Sequence, residues 1–253
     1  MLKTSIRISL AQVPVVKGDV TENLAQHIKM IEQSSSCKAD VVVFPELSLT
    51  GYELELAQEL ALSETSHVFE ALSQAAVDHN IIVLAGCPLK VTLTSGRDAK
   101  PTIGAVICFP DGAREFYAKQ YLHEGEGKHC SSGAADYVFT VNGYRIALAI
   151  CADFASPEHA QKARELGADI YIASALISER GFEADAKMLS SIAAIHGFPV
   201  LLSNHISTTG GWSSCGNNSI WNASGERVFS SESKEPCLVL CAMADHKIDA
   251  IKI

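Results

Sequence analysis

The sequence predicts an α/β chain in which two mixed β-sheets pack together and carry helices on their outer faces. Three observations lead there. Apolar segments of strand length alternate with segments whose apolar residues recur at helical spacing, the order expected of a layered α/β fold. Short turn sequences, Pro110-Asp111-Gly112 and Asn142-Gly143 among them, insert antiparallel hairpins between the crossovers. The 253 residues, 47% hydrophobic and 19% charged, suffice for one large core, and no linker or internal repeat divides them. One domain spanning 1–253 is therefore expected.

The elements follow in order. Ile6, Ile8 and Leu10 alternate with Arg7 and Ser9, the pattern of a first strand. Asp19 with Glu22 forms a capping box for a helix bearing Leu24, Ile28 and Ile31 on one side. VVVFPE, ending at Glu46, is a second strand, and LSLTGYE is a loop around Gly51. Ser66 to Asn80 reads as a helix with Val68, Leu72, Ala75 and Ala76 on one face and Asn80 as its stop. IIVLAGC is a strand, Thr94 to Pro101 a polar loop, and TIGAVICF pairs with EFYAK in a hairpin ending at Lys119. From Gln120 to Gly133 periodicity disappears, and so long a loop in a compact chain is usually functional or mobile. Val138–Val141 and Tyr144–Ile150 make the next hairpin. Ser156-Pro157-Glu158 opens a helix: a serine cap, proline at the first helical position and an acid in the first turn. ADIYIASALI is a strand, and Ala184 to His196 a helix with Met188, Leu189, Ile192 and Ile195 inward. PVLLSNH is a strand, STTGGWSSCGNN a glycine-rich loop, SIWNASGERVF a hairpin and PCLVLCAM the last strand.

Composition removes several function classes. A net charge of −9 argues against nucleic acid or anionic membrane as a partner. No apolar run approaches the roughly 18 residues of a membrane helix. The N-terminus, broken by Lys3, Thr4, Ser5, Arg7 and Ser9, reads as a strand rather than a signal peptide. Eight cysteines without a CxxC pair, in a chain too long to need staples, imply free thiols in a reducing cytoplasm.

Three polar residues share one feature. Glu46, Lys119 and Cys151 each follow directly on an apolar strand-like segment, where open sheets place their chemistry. Each has an ordinary explanation when taken alone: a solvated acid, a lysine guarding a hairpin edge, a small buried thiol. Together they suggest one rim. FPELSLTGYE, YAKQYLHEGE and ICADFASPE, in this order and spacing, resemble the three signatures of the nitrilase superfamily, the carbon–nitrogen hydrolases, and the resemblance runs from Ala11-Gln12 to Ser219–Trp221.

That resemblance implies a four-layer α-β-β-α sandwich and a Glu46-Lys119-Cys151 triad. It implies no metal, no organic cofactor, and assembly as a homodimer or larger. A second glutamate follows the lysine in many members. Glu126 is the better match here, with Glu124 a nearby competitor. Many members carry an aromatic residue after the cysteine, where this chain has Ala152; Cys-Ala-Asp leans towards amides over nitriles.

The residue types suit amide hydrolysis through a thioester. A thiolate is a strong nucleophile near neutral pH. Glu46 would move protons, and Lys119 with the Ala152 backbone N–H would hold the oxyanion. Glu126 would support the triad or position the substrate. Phe154, Ser174, Leu176, Ile177 and His205 are the expected pocket walls. The alternatives are a nitrilase or N-carbamoyl hydrolase on the same triad, a Cys–His hydrolase using His123, His129 or His205, and a non-catalytic binding module. A zinc site from His123, His129 and Cys130 matches no standard ligand spacing.

Overall fold

The computed structural model describes residues 3–91, 99–244 and 247–253. Most of the polar loop expected at 94–101 lies outside them. The first half of the chain supplies β1 (Ile6–Gln12), α1 (Val20–Ser36), β2 (Val41–Val43), α2 (Ala57–Leu60), α3 (His67–His79), β3 (Ile82–Leu89), β4 (Thr102–Cys108) and β5 (Arg114–Ala118). The second supplies β6 (Val138–Val141), β7 (Tyr144–Ile150), α4 (Pro157–Glu165), β8 (Ile170–Ala175), α5 (Phe182–His196) and β9 (Val200–Asn204). Two-residue strands β10 (Thr208–Thr209) and β11 (Trp212–Ser213) follow, then β12 (Ser219–Trp221), β13 (Arg227–Ser230), β14 (Cys237–Ala244) and β15 (Lys247–Lys252).

β14 returns to the first half and pairs with β1, giving a seven-stranded sheet in the order β15-β14-β1-β2-β3-β4-β5. The second large sheet runs β13-β12-β9-β8-β7-β6. Both are mixed: β1-β2-β3 and β7-β8-β9 are parallel, and hairpins flank them. The parallel centres explain the unbroken apolar runs, since these strands are covered on both faces. Val41 and Val43 face the layer between the sheets, whereas Val42 faces Met30, Ile31 and Leu72 of α1 and α3. Ile146, Leu148 and Ile150 likewise point between the sheets, and the small Ala147 and Ala149 face α4 and α5. The result is the four-layer α-β-β-α sandwich.

Several local features differ from the sequence pattern. Helix α1 buries Asn23, His27, Met30, Ile31 and Ser34, leaving Leu24 and Ile28 only half-buried. Polar groups take the inner face because they have partners there. Asn23 bridges Val16 and Leu49, and His27 reaches the Ser48 hydroxyl at 2.9 Å. Asp19 caps α1 by accepting from Glu22 N, but the Glu22 carboxylate turns to Gln26 instead of closing the box. Ser156 donates to the Glu158 carboxylate rather than capping α4. Helix α5 begins at Phe182 and buries Leu189 and Ile192 as expected, whereas Met188 and Ile195 are 36% and 76% exposed. β15 was not expected at all: its lysines mark an edge strand of the kind that charges protect from further pairing.

Candidate active site

Glu46 sits three residues beyond β2 in a tight turn. Leu47 has φ 51°, and a Cβ on Gly86 of β3 would come within 2.5 Å of Leu47 N. Only glycine permits that approach. Ser174 donates to the Phe44 carbonyl at 2.8 Å, and His205 Nε2 donates to the Glu46 carbonyl. Both residues therefore hold the backbone beneath Glu46 and do not line the pocket, contrary to their expected place as walls. Their strand-end positions are right, but their polar atoms face inward because the backbone carbonyls before the turn need donors.

Lys119 follows β5 and is completely buried. Its ammonium donates to Glu46 Oε1 and to Glu126 Oε1, each at 2.7 Å. Glu126 opens a single 3₁₀ turn, Glu126–Lys128, inside the long aperiodic loop. Its Oε1 also accepts from Tyr52 OH at 2.5 Å, and its Oε2 from His123 N at 2.6 Å. Glu124 is exposed, so the geometry separates the two candidate glutamates.

Cys151 directly follows β7 and occupies the left-handed region at φ 44°, an uncommon conformation for a residue with a side chain. A 3₁₀ turn, Cys151–Ala155, starts there, and the first N–H groups of such a turn have no acceptor within it. The Ala152 N–H is one of them. Asp153 fixes this corner: Oδ2 accepts from Ile150 N and Tyr117 OH, and Oδ1 from Gln120 N and Tyr121 N. One carboxylate thus ties the end of β7 to the segment just after Lys119. Sequence reasoning missed this role, although Asp153 lies within the Cys-Ala-Asp signature.

A cavity of about 290 Å³ opens over Cys151 and Glu46. Ala152, Phe154, Leu176 and Ile177 line it, together with Tyr52, Asp185 and Trp212, which no periodicity or motif announces. His123 is at its edge, but its Nδ1 meets the Glu124 carbonyl. The Cys151 thiol points to the Leu176 carbonyl at 3.8 Å, and no hydrogen bond joins it to a histidine among the described residues. His123, His129 and Cys130 form no metal-sized cluster among those residues either. No helix among them is long and apolar enough to cross a membrane.

The family model for carbon–nitrogen hydrolases matches residues 7–250. The chain belongs to the carbon–nitrogen hydrolase family. A 2-oxoglutaramate amidase of Bacillus subtilis is 30% identical over 171 residues, covering 66% of this chain and 64% of the relative. A glutamine-dependent NAD(+) synthetase of Aquifex aeolicus is 26% identical over 170 residues, covering 66% of this chain and 29% of the relative. Each match spans less than two thirds of the relative's length. An amidase of Nesterenkonia sp. AN1 has been solved as a glutamate-to-glutamine variant with the acetamide moiety of fluoroacetamide on its active-site cysteine. It superposes with a TM-score of 0.83 at 20% identity, over 95% of this chain and 90% of that one. At that identity the likeness is one of fold.

The electrostatics of this carbon–nitrogen hydrolase assign its resting protons. Burial pushes the Glu46 carboxyl up to about 6; Lys119 pulls against that shift and Glu126 adds to it. Burial, then the Glu46 charge, raise the Cys151 thiol well above the usual cysteine range, with Lys119 opposing. Burial works against the Lys119 charge, but the Glu46 and Glu126 carboxylates hold it above the usual lysine range. At pH 7 the site therefore rests as carboxylate, ammonium and thiol. Glu46 Oε2 is buried without a hydrogen bond in this geometry, and the Cys151 thiol is a neighbouring donor.

If Glu46 is the base of the reaction it must be ionised to act, and kcat/KM should then fall below an apparent pKa of about 6. The raised Cys151 and Lys119 should give no alkaline limb below pH ~9. A pH–rate profile checks both limbs. The same shift has a stability cost. The folded state holds the Glu46 proton more tightly than the unfolded chain, so this group's contribution falls as pH rises from 4.5 through about 6.

Proposed function

We propose that this chain is an amidase that hydrolyses small amides to a carboxylic acid and ammonia through a thioester on Cys151. The observation that carries the reading is the buried Lys119 ammonium shared by Glu46 and Glu126, with the second Glu46 oxygen free next to the thiol. Glu46 takes the thiol proton as sulfur attacks the carbonyl carbon. Lys119, with one N–H left after its two carboxylate bonds, and the Ala152 N–H stabilise the oxyanion. Glu46 returns the proton to nitrogen, and the C–N bond breaks with release of ammonia. Water, deprotonated by Glu46, then opens the thioester. Glu126, held by Tyr52, Lys119 and the His123 N–H, keeps the lysine in place and is not the proton carrier.

The amidase names of the relatives and the cysteine adduct in the Nesterenkonia enzyme support this choice, as does Cys-Ala-Asp in place of the Cys-Trp-Glu common among nitrile hydrolases. Ammonia release should be measured across amides, nitriles and N-carbamoyl compounds; turnover confined to nitriles would overturn the amidase assignment. In single-turnover kinetics, Glu46→Gln should slow both acylation and thioester hydrolysis by roughly 10²–10⁴-fold. Glu126→Gln should keep more chemistry and mainly raise KM. Near-normal rates in Glu46→Gln would remove the proposed base.

We further propose that residues 1–253 act as one catalytic domain in the cytoplasm, without metal or organic cofactor, and that two copies pair through α4 and α5. Met188 and Ile195 project outward from α5 and suit such a face. Light scattering should give about twice the 27.1 kDa chain mass; the chain mass alone at micromolar concentration would exclude pairing.

A further inference from the structure

The pocket over Cys151 contains a carboxylate that the proposed reaction does not use. Asp185 faces this cavity from the first turn of α5, between apolar walls that include Leu176, Ile177 and Trp212. Its carboxylate makes no hydrogen bond among the described residues, although it lies within the field of His123. No lysine or arginine lines the cavity among those residues, since Lys119 is sealed behind Glu46. An adjoining cavity shares Tyr52, His123 and Trp212 with it and carries Glu53, Glu55 and Glu124 against Lys128. The approach to the thiol is therefore mostly acidic, in a protein whose net charge is −9.

Acids in a helix's first turn often serve only the helix dipole, and exposed Glu183 already does so here. Asp185 differs in being half-buried, and burial raises its carboxyl above the ordinary range. A carboxylate in that setting has no lysine or arginine beside it in the cavity among the described residues, and a bound cation would supply that charge.

We propose that Asp185 is the specificity-determining residue of the site and receives a protonated amine, so that the preferred substrates are small amides carrying an ammonium group away from the scissile carbonyl. The cavity volume, about 290 Å³, is at the small end for ligand sites and suits a short substrate chain. This inference rests on the amidase reading. The acid product carries a new carboxylate that Asp185 repels, which favours its departure.

The test compares kcat/KM for 5-aminopentanamide, for hexanamide (methyl in place of ammonium) and for 4-carboxybutanamide, by ammonia release near pH 7.5. Wild type should prefer the aminoamide over hexanamide by at least about tenfold, the usual strength of a charge-assisted hydrogen bond, and should use the anionic amide least. Asp185→Asn should reduce the aminoamide-to-hexanamide ratio by about tenfold or more, chiefly through KM, and Asp185→Glu should restore part of it. Should the Asn variant not fold, inhibition of wild-type hexanamide turnover by n-butylammonium but not by butyrate supplies the same reading. Equal use of aminoamide and hexanamide by wild type, or an unchanged ratio in a folded Asp185→Asn, overturns the inference while leaving the amidase standing. Failure to hydrolyse any amide overturns both.

Discussion

Cys151→Ala should eliminate amide turnover, by about 10⁴-fold or more, while melting within a few degrees of wild type. Removal of a nucleophile leaves only binding and oxyanion stabilisation, which account for a small part of catalysis. The structural effect should be small because alanine keeps the Cβ and hence the same φ of 44°, and the sulfur's hydrogen bond to the Leu176 carbonyl is a long one at 3.8 Å. Mass spectrometry of wild type quenched during turnover should show one acyl group on Cys151, and none in the variant. Iodoacetamide is a weaker discriminator. Six other cysteines are buried, but Cys37 at the end of α1 is partly exposed and should also be labelled, without effect on activity. Full activity in Cys151→Ala would end the thioester mechanism.

Lys119→Met should damage both stability and rate. It leaves Glu46 and Glu126, neither with any exposed side-chain surface, without their shared cation. Breaking a buried pair from one side typically costs about 3–5 kcal/mol, because the remaining charge is uncompensated. The sign of the pH dependence tests the cause. With the lysine gone, the buried Glu46 carboxyl loses the charge that opposes its upward shift. It then holds its proton more tightly still in the folded chain than in the unfolded one, so the deficit should be largest at pH 7 to 8 and shrink towards pH 5. Urea titrations at several pH values measure it. Turnover should fall by at least about 10²-fold from loss of oxyanion stabilisation. A variant as stable as wild type at pH 7.5 would mean that Lys119 is not the counter-charge that the geometry describes.

Sequence pattern located the three groups at the centre of the site because each ends an apolar strand segment, and strand ends are easily read from composition. Glu126 required the family resemblance to single it out from Glu124, since nothing local distinguishes two acids in an aperiodic loop. Tyr52, Asp185 and Trp212 were invisible for a related reason: they come from three separate loops or helix starts, and only the packed fold brings them round one cavity. Ser174 and His205 were placed at the correct strand ends but given the wrong neighbours. A period of two fixes which face a strand residue joins, but the course of the backbone past a strand end decides what its polar atom meets. Helix α1 shows the converse. Its inner face contains Asn23, His27 and Ser34, because their partners lie on β1 and on the turn after Glu46, beyond the reach of any local pattern.

Glu46 and Lys119 extend from the seven-stranded sheet, and Cys151 from the six-stranded one. The groups proposed to react therefore meet across a seam, and the distance between the proposed proton acceptor and the thiol is set by how the two sheets are stacked. Side chains such as Ile8, Val43, Ile172 and Val239, which lie outside the lining of the cavity over Cys151, act as spacers that calibrate that distance. A methylene added or removed there alters the alignment of the chemistry as well as the fit of the core. For this architecture the hydrophobic layer is part of the catalyst's tolerance, and turnover serves as a gauge of how truly the two halves of the chain are seated.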